Sequence, residues 1–97
     1  MAELNYHHLR YFRAIAHERS LTRAAALLHV SQSALSIQLR QLEQRLGVNL
    51  FERRNRRLEL TEAGRIALEY ADSIFRKGEE LLGTLRGAAA RGRAVLR

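Results

Sequence analysis

The sequence predicts a mainly α-helical fold, a winged helix-turn-helix with a small β-hairpin wing and a long C-terminal linker helix. Three observations predict it. Two helical patterns are separated by only two residues, His29 and Val30. An arginine-rich segment that ends in alternating apolar residues follows them, at residues 53–60. The last apolar pattern then continues over about six helical turns, and the absence of proline favours such a long helix.

The first two helices are each predicted from a polar N-cap residue and an apolar face. The first helix is expected to begin after Asn5 and to end near Glu18. The second is expected to begin after Ser20 and to end near Leu28. Apolar residues three or four positions apart share the inner face of each helix, namely Leu9, Phe12 and Ala16, then Leu21, Ala25 and Leu28.

The third helix is expected to begin after Ser31 and to end at Leu46, where Gly47 suits the left-handed position that closes a helix. The connection from the second helix is so short that the two helices must meet at a large angle. In a helix-turn-helix the second helix presents its N-terminal half to the DNA major groove. The predicted inner stripe of this third helix consists of Leu35, Leu39, Leu42 and Leu46.

The hairpin and the last helix follow. Alternation at residues 58–60 predicts a short strand, with Asn55 at the hairpin tip because asparagine tolerates positive φ. Thr61 is the predicted N-cap of a helix over residues 62–86, and the segment from Gly87 is expected to be a linker. The apolar stripe of this helix consists of Ala63, Ala67, Tyr70, Ile74, Gly78, Leu81 and Leu85.

The composition restricts the function. The formal net charge is +7 at pH 7 and Lys77 is the only lysine. That balance favours a polyanionic partner, either nucleic acid or an anionic membrane surface, and arginine suits forked contacts with phosphate and guanine. No apolar run approaches the length of a transmembrane helix, so we expect a soluble, cytoplasmic protein with no membrane partner.

The residues favour binding over catalysis. The chain has no cysteine, which excludes a disulfide scaffold, a thiolate zinc site and a cysteine nucleophile. Its four histidines lack metal-ligand spacing, and no serine has an evident base and orienting acid. We therefore expect no metal, no cofactor and no catalytic residue, and we do not expect an enzyme.

Ten residues are the candidate DNA contacts. On the third helix the face opposite the leucines is small and polar, which suits the reading of base edges. An ordinary solvated face is the alternative. Ile37 contacts a thymine methyl group or is a neutral surface residue, and Arg53 contacts phosphate or pairs with a local carboxylate. The candidates are Ser31, Gln32, Ser33, Ser36, Ile37 and Arg40 on the helix, and Arg53, Arg54, Arg56 and Arg57 on the wing.

The long helix carries more apolar surface than a small winged unit can cover, and the simplest partner is a second copy of the chain. The candidate dimerisation residues are Tyr70, Ile74, Leu81 and Leu85. The alternative is that the stripe packs back on the first helix, as we expect for Ala63 and Ala67.

Several short motifs in a fixed order resemble the N-terminal domain of LysR-type transcriptional regulators. They are LTRAAALLHVSQSALS at 21–36, LE at 42–43, LG at 46–47, LFER at 50–53 and LTEAG at 60–64. The resemblance covers residues 5–86. It implies a winged helix-turn-helix whose linker helix pairs antiparallel with its dimer mate, on interrupted inverted repeats near bacterial promoters.

The resemblance also has implications for individual residues and for the rest of the parent protein. It implies that Gln32, Ser33, Ser36 and Arg53 touch DNA, and the family usually has arginine where this chain has Ile37. It implies a DNA-binding domain at 1–61, a dimerisation helix at 62–86 and a flexible linker at 87–97 towards an effector-binding domain that this chain lacks. The full-length parent is then expected to be a tetramer.

Two other functions remain open from the sequence. A protein-interaction module could dimerise through the last helix, with its basic residues serving solubility alone. An RNA-binding role is the third hypothesis, although no aromatic stacking platform is evident.

Overall fold

The computed structural model describes residues 3–91. Its elements, in chain order, are α1 (Tyr6–Glu18), α2 (Leu21–Leu28), α3 (Gln32–Leu46), β1 (Phe51–Arg54), β2 (Arg57–Leu60) and α4 (Glu62–Arg91). This order confirms the predicted mainly helical winged helix-turn-helix with a long last helix.

The helix starts are those that the capping residues predict. Four side-chain oxygens each accept a hydrogen bond from the backbone N–H three residues later, at 3.0–3.1 Å. Such a cap typically contributes about 1 kcal/mol to the stability of a helix. The capping residues are Asn5, Ser20, Ser31 and Thr61.

The core lies where α1 meets α2, α3 and the first half of α4. Phe12, Ile15 and Leu35 are fully buried, together with Leu50 from the segment before the hairpin. The predicted inner faces of α1 and α2 are buried or half-buried. On α3 the prediction is wrong for Leu46, which is 38% exposed. Residues 44–49 are all exposed, so no other element covers the last turn of α3.

The wing, residues 51–60, is an antiparallel hairpin in which Arg54 is paired with Arg57 across a two-residue turn. The turn residues Asn55 and Arg56 have φ of 53° and 65°. Positive φ at both positions is the geometry of tight hairpin turns, because their twist matches that of the strands. Asn55 therefore lies at the tip as predicted, while the strands take in more residues than the predicted 58–60.

The end of α4 differs from the prediction. The helix continues to Arg91, so the expectation that it ends near Arg86 and that a linker begins at Gly87 is wrong for residues 87–91. Three alanines follow Gly87, and alanine has the highest helix propensity, which offsets the glycine. The rest of the predicted linker, residues 92–97, lies outside the described residues.

Candidate nucleic-acid interface

The outer face of α3 is determined by its buried leucines. Leu35, Leu39 and Leu42 are 0%, 8% and 1% exposed, which directs the opposite side of the helix to solvent. The six candidate residues extend from the N-cap of this helix to its ninth residue. All of them are exposed except Ser36, which is half-buried, and they are Ser31, Gln32, Ser33, Ser36, Ile37 and Arg40.

The hydroxyl groups at the start of α3 are partly engaged. The Ser31 Oγ accepts the hydrogen bond from the Ala34 amide and lies 3.4 Å from the Ser33 Oγ. The two hydroxyls therefore form one polar cluster at the first turn. Each still has hydrogen-bonding capacity towards a partner, since a hydroxyl is both a donor and an acceptor.

Ile37 is the apolar residue of this face, with an exposed fraction of 52%. It follows Ser33 by one helical turn and precedes Arg40 by another, so the three side chains form one ridge along the helix. The ridge presents a methyl-bearing surface between two polar groups, which leaves both interpretations of Ile37 in place.

Arg54 and Arg53 lie on opposite faces of the wing. Arg54 forms a salt bridge with Glu52 at 3.2 Å, between side chains that are 64% and 44% exposed. Within residues 3–91, Arg53 has no carboxylate partner, so the alternative that it pairs with a local carboxylate is wrong. In the hairpin register Arg53 is opposite Leu58, on the inner side that also carries Phe51.

An open groove of about 740 Å³ lies between the wing and the start of α2. We name it the arginine groove after its five arginines. Gln32 of α3 also lines it, so α3 and the wing share one continuous surface. Two of its arginines were missed by the sequence analysis, because their distance from the wing along the chain gave no local signal. The five arginines are Arg19, Arg53, Arg56, Arg57 and Arg65.

Glu43 joins the wing to α3. Its Oε2 atom accepts hydrogen bonds from the backbone amides of Leu50 at 2.7 Å and Phe51 at 3.4 Å. Thr61 closes the other side, since its amide donates to the Leu50 carbonyl at 3.0 Å and its hydroxyl donates to the Asn49 carbonyl at 2.6 Å. The start of the wing is thereby attached to α3 and to α4.

A charged cluster joins α1 to α4. Asp72 Oδ1 lies 2.7 Å from the Arg13 Nε and 2.8 Å from the His17 Nε2. Burial opposes ionisation of the Asp72 carboxyl, but the hydrogen bonds and charges of His17 and Arg13 outweigh it and lower its pKa. The cluster therefore favours the ionised carboxylate, and it orients the long helix on the core.

The apolar stripe of α4 has a covered half and an uncovered half. Ile74, a candidate dimerisation residue, is half-buried against the core of its own chain, as Ala63 and Ala67 are. It therefore belongs to the part of the stripe that packs back on its own chain. Beyond it, Leu81 and Leu85 are 57% and 55% exposed. At about 100° per residue they continue the side of α4 that faces the core.

Three further residues enlarge this exposed surface. Tyr70 is 68% exposed at the edge of the stripe, and Leu82, which the sequence analysis did not single out, is 47% exposed. The Tyr6 ring, also half-exposed, contacts the Phe75 ring with centroids 4.5 Å apart. Apolar surface therefore continues from the start of α1 along the part of α4 that follows Ile74, which we name the outer half of α4.

Two kinds of site are not found within residues 3–91. No group of three or more His, Cys, Asp or Glu side chains is arranged to hold a metal ion. In the same part of the chain, no helix combines the length and the apolar character that crossing a membrane requires.

Residues 6–65 match the family described as bacterial regulatory helix-turn-helix protein, lysR family. This match covers more than half of the chain and includes α3, the wing and the whole arginine groove. The chain belongs to the lysR family. The lysR-family relatives include the RuBisCO operon transcriptional regulator of Allochromatium vinosum, which is 48% identical over 84 residues. That alignment covers 84% of this chain and 28% of the relative's length.

Solved structures of lysR-family DNA-binding domains have the same fold. The BenM_DBD/catB site 1 DNA complex is similar with a TM-score of 0.84 and 34% identity, over 89% of this chain and 96% of that one. The CbnR_DBD-DNA complex is similar with a TM-score of 0.79 and 40% identity, over 89% of this chain and 99% of that one. These two alignments each cover 89% of this chain, so the likeness extends further along α4 than the family match, which ends at residue 65.

Proposed function

We propose that this lysR-family chain binds double-stranded DNA in a sequence-specific manner. In this proposal α3 enters the major groove of the DNA. The wing, with arginines at 53–57, contacts the DNA backbone or the minor groove. The observation that carries it is the continuous surface on which the polar face of α3 meets the arginines of the wing at Gln32.

Different side chains of α3 are suited to contacts with different bases. Arg40 is suited to the two acceptors of guanine, and Gln32 to the donor and acceptor of adenine. Ser33 and Ser36 are short and adapt to several bases. Ser31 caps the first turn of α3 and can donate its hydroxyl proton to the sugar-phosphate backbone of the DNA. Ile37 sets the preference at one base pair if it contacts a thymine methyl group.

The wing supplies charge more than sequence preference. Phosphate contacts fix the position of a protein on the duplex, whereas base contacts specify the site. Arg53, Arg56 and Arg57 line the groove beside α3. Arg54 lies with Glu52 on the face of β1 opposite Phe51 and Arg53. We expect the first three to contribute more to affinity than Arg54 does.

The proposal extends to the assembly. Two relatives of known structure were solved with DNA, and a relative of known role regulates an operon, which supports a part in transcription regulation for this chain. We propose that it acts in the cytoplasm as a homodimer through the outer half of α4, on an interrupted inverted repeat, and as a tetramer in a full-length parent. Recognition of this kind needs neither a cofactor nor a catalytic group.

Selection of bound duplexes from a random library tests the proposal. We expect the selected sequences to share two half-sites in inverted order, because two copies of α3 related by twofold symmetry read the same bases. The affinity for the selected duplex is then compared with that for a scrambled one at physiological salt. Equal affinities would overturn sequence-specific binding.

A double substitution separates this function from that of a protein-interaction module. Arg53→Ala with Arg56→Ala should weaken binding and make the dependence of log affinity on log salt concentration shallower by about 2, because each lost phosphate contact removes about 1 from that slope. Unchanged binding in the double variant would favour the interaction module, whose basic residues serve solubility.

A further inference from the structure

Two arginines of this chain adopt backbone conformations that favour glycine. Arg19, directly after α1, has φ of 56°, and Arg56, the second residue of the hairpin turn, has φ of 65°. Glycine is the usual residue at both kinds of position, because a Cβ atom is strained in the left-handed region. A strained residue at such a site points to a function of its side chain.

Both arginines line the arginine groove. The charged residues that line this groove are five arginines and one acidic residue, Glu59. Within residues 3–91 none of the five forms a salt bridge, since the arginine partners of the described ion pairs are Arg13 and Arg54. Arg65 donates to the Leu60 carbonyl at 3.3 Å, which holds its guanidinium at the groove without neutralising it.

The position of the arginine groove indicates which part of a DNA duplex would lie over it. One wall includes Gln32, at the first turn of α3, and another includes the wing. On a duplex, the major groove and the adjacent minor groove are separated by one sugar-phosphate strand. If α3 occupies the first and the wing the second, this strand must pass over the groove between them.

We infer that the arginine groove binds backbone phosphates of this separating strand, and that Arg19 and Arg65 are phosphate-binding residues outside both the reading face of α3 and the wing. The inference rests on the proposed DNA binding. Arg19 reaches the strand from the corner between α1 and α2, and Arg65 from the first turn of α4. Because phosphates carry no base identity, these contacts raise the affinity for any sequence and position α3 on the duplex.

The strained backbone provides a substitution that separates binding from folding. Arg19→Gly removes the guanidinium and relieves the strain, so we expect its melting temperature to equal or exceed that of the unchanged chain. Its affinity should fall for selected and scrambled duplexes by similar factors, and its salt slope should become shallower by about 1. Arg65→Gln should show the same loss in slope.

Two controls accompany these variants. Arg10→Gln removes one exposed positive charge from α1 outside the groove, and it should leave the slope unchanged. Arg19→Lys keeps both the charge and the strained backbone, so it should retain the slope that Arg19→Gly loses. A purely structural role for Arg19 would not produce this difference.

The outcomes distinguish the inference from the proposed function. If Arg19→Gly and Arg65→Gln keep the full slope while Arg53→Ala with Arg56→Ala loses part of it, the phosphate contacts inferred for Arg19 and Arg65 are wrong and DNA binding stands. Equal losses in Arg19→Lys and Arg19→Gly would also overturn the inference. If the unchanged chain does not prefer its selected duplex, the proposed sequence-specific function itself fails.

Discussion

The carboxylate of Glu43 accepts a hydrogen bond from the backbone amide of Leu50 at 2.7 Å. This contact attaches the segment that enters the wing to the C-terminal part of α3. The same oxygen also lies 3.4 Å from the Phe51 amide, so one half-buried side chain holds both Leu50 and the first residue of the wing. The angle between α3 and the wing therefore depends on Glu43.

Removal of this carboxylate should loosen the wing. We expect Glu43→Ala to lower the free energy of unfolding by about 1.5–3 kcal/mol, the range for hydrogen bonds to charged groups. Affinity for the selected duplex should fall while the salt slope stays nearly constant, because every arginine remains. Urea unfolding and binding titrations measure the two effects. Glu52→Ala, which removes only an exposed ion pair, should change stability by less than about 1 kcal/mol, and an equal loss there would contradict the role of Glu43.

Gly64 permits the close approach of α4 to the same segment. A Cβ atom at this position would collide with the carbonyl oxygen of Leu50, which is backbone and cannot rotate away. Gly64→Ala should therefore lower the free energy of unfolding by about 1–3 kcal/mol. Gly83→Ala is the matched control on the same helix, because nothing lies within 4 Å of its added Cβ atom. There alanine should raise stability by about 0.5–1 kcal/mol, and thermal melts that rank the two variants the other way would contradict this packing.

The Asp72 cluster predicts a dependence of stability on acid. Because His17 and Arg13 lower the pKa of Asp72 below its ordinary value of 3.8, the folded chain holds this proton less tightly than the unfolded chain does. The contribution of the carboxylate is thus fully present above pH 3.8 and is lost as pH falls through the lowered pKa. Melting temperatures below pH 4 should fall more steeply for the unchanged chain than for Asp72→Asn. Identical slopes would show that the cluster does not contribute.

Glu79→Gln serves as the control for that measurement. Glu79 is an exposed carboxylate near the cluster, and no salt bridge to it is found in residues 3–91. Its variant should follow the acid profile of the unchanged chain.

The outer half of α4 predicts the oligomeric state. Leu81→Glu with Leu85→Glu places two charges at positions that are 57% and 55% exposed in the described chain. We expect a folded monomer by analytical ultracentrifugation. Its affinity for a duplex with two half-sites should be lower by roughly 10²-fold or more, because the second half-site no longer benefits from linkage. A double variant that still sediments as a dimer would refute this interface.

The sequence by itself determined the elements and the reading face. Helix caps and apolar spacing act over three or four residues, so Asn5, Ser20, Ser31 and Thr61 could be assigned without the fold. The leucine stripe of α3 likewise determined which side faces outward. The same local rules overlooked that alanines would carry α4 to Arg91 and that Leu46 would lack a cover.

The tertiary structure decided the contacts between distant residues. Arg13 and Asp72 are 59 residues apart, and only the docking of α4 on α1 brings their charges together. Arg19 and Arg65 join the wing arginines for the same reason, because the α1–α2 corner and the first turn of α4 converge on one groove. Ile74 is half-buried and Leu81 is exposed because α4 extends beyond the core against which its first half packs. Such relationships depend on the path of the whole chain, which short-range spacing does not encode.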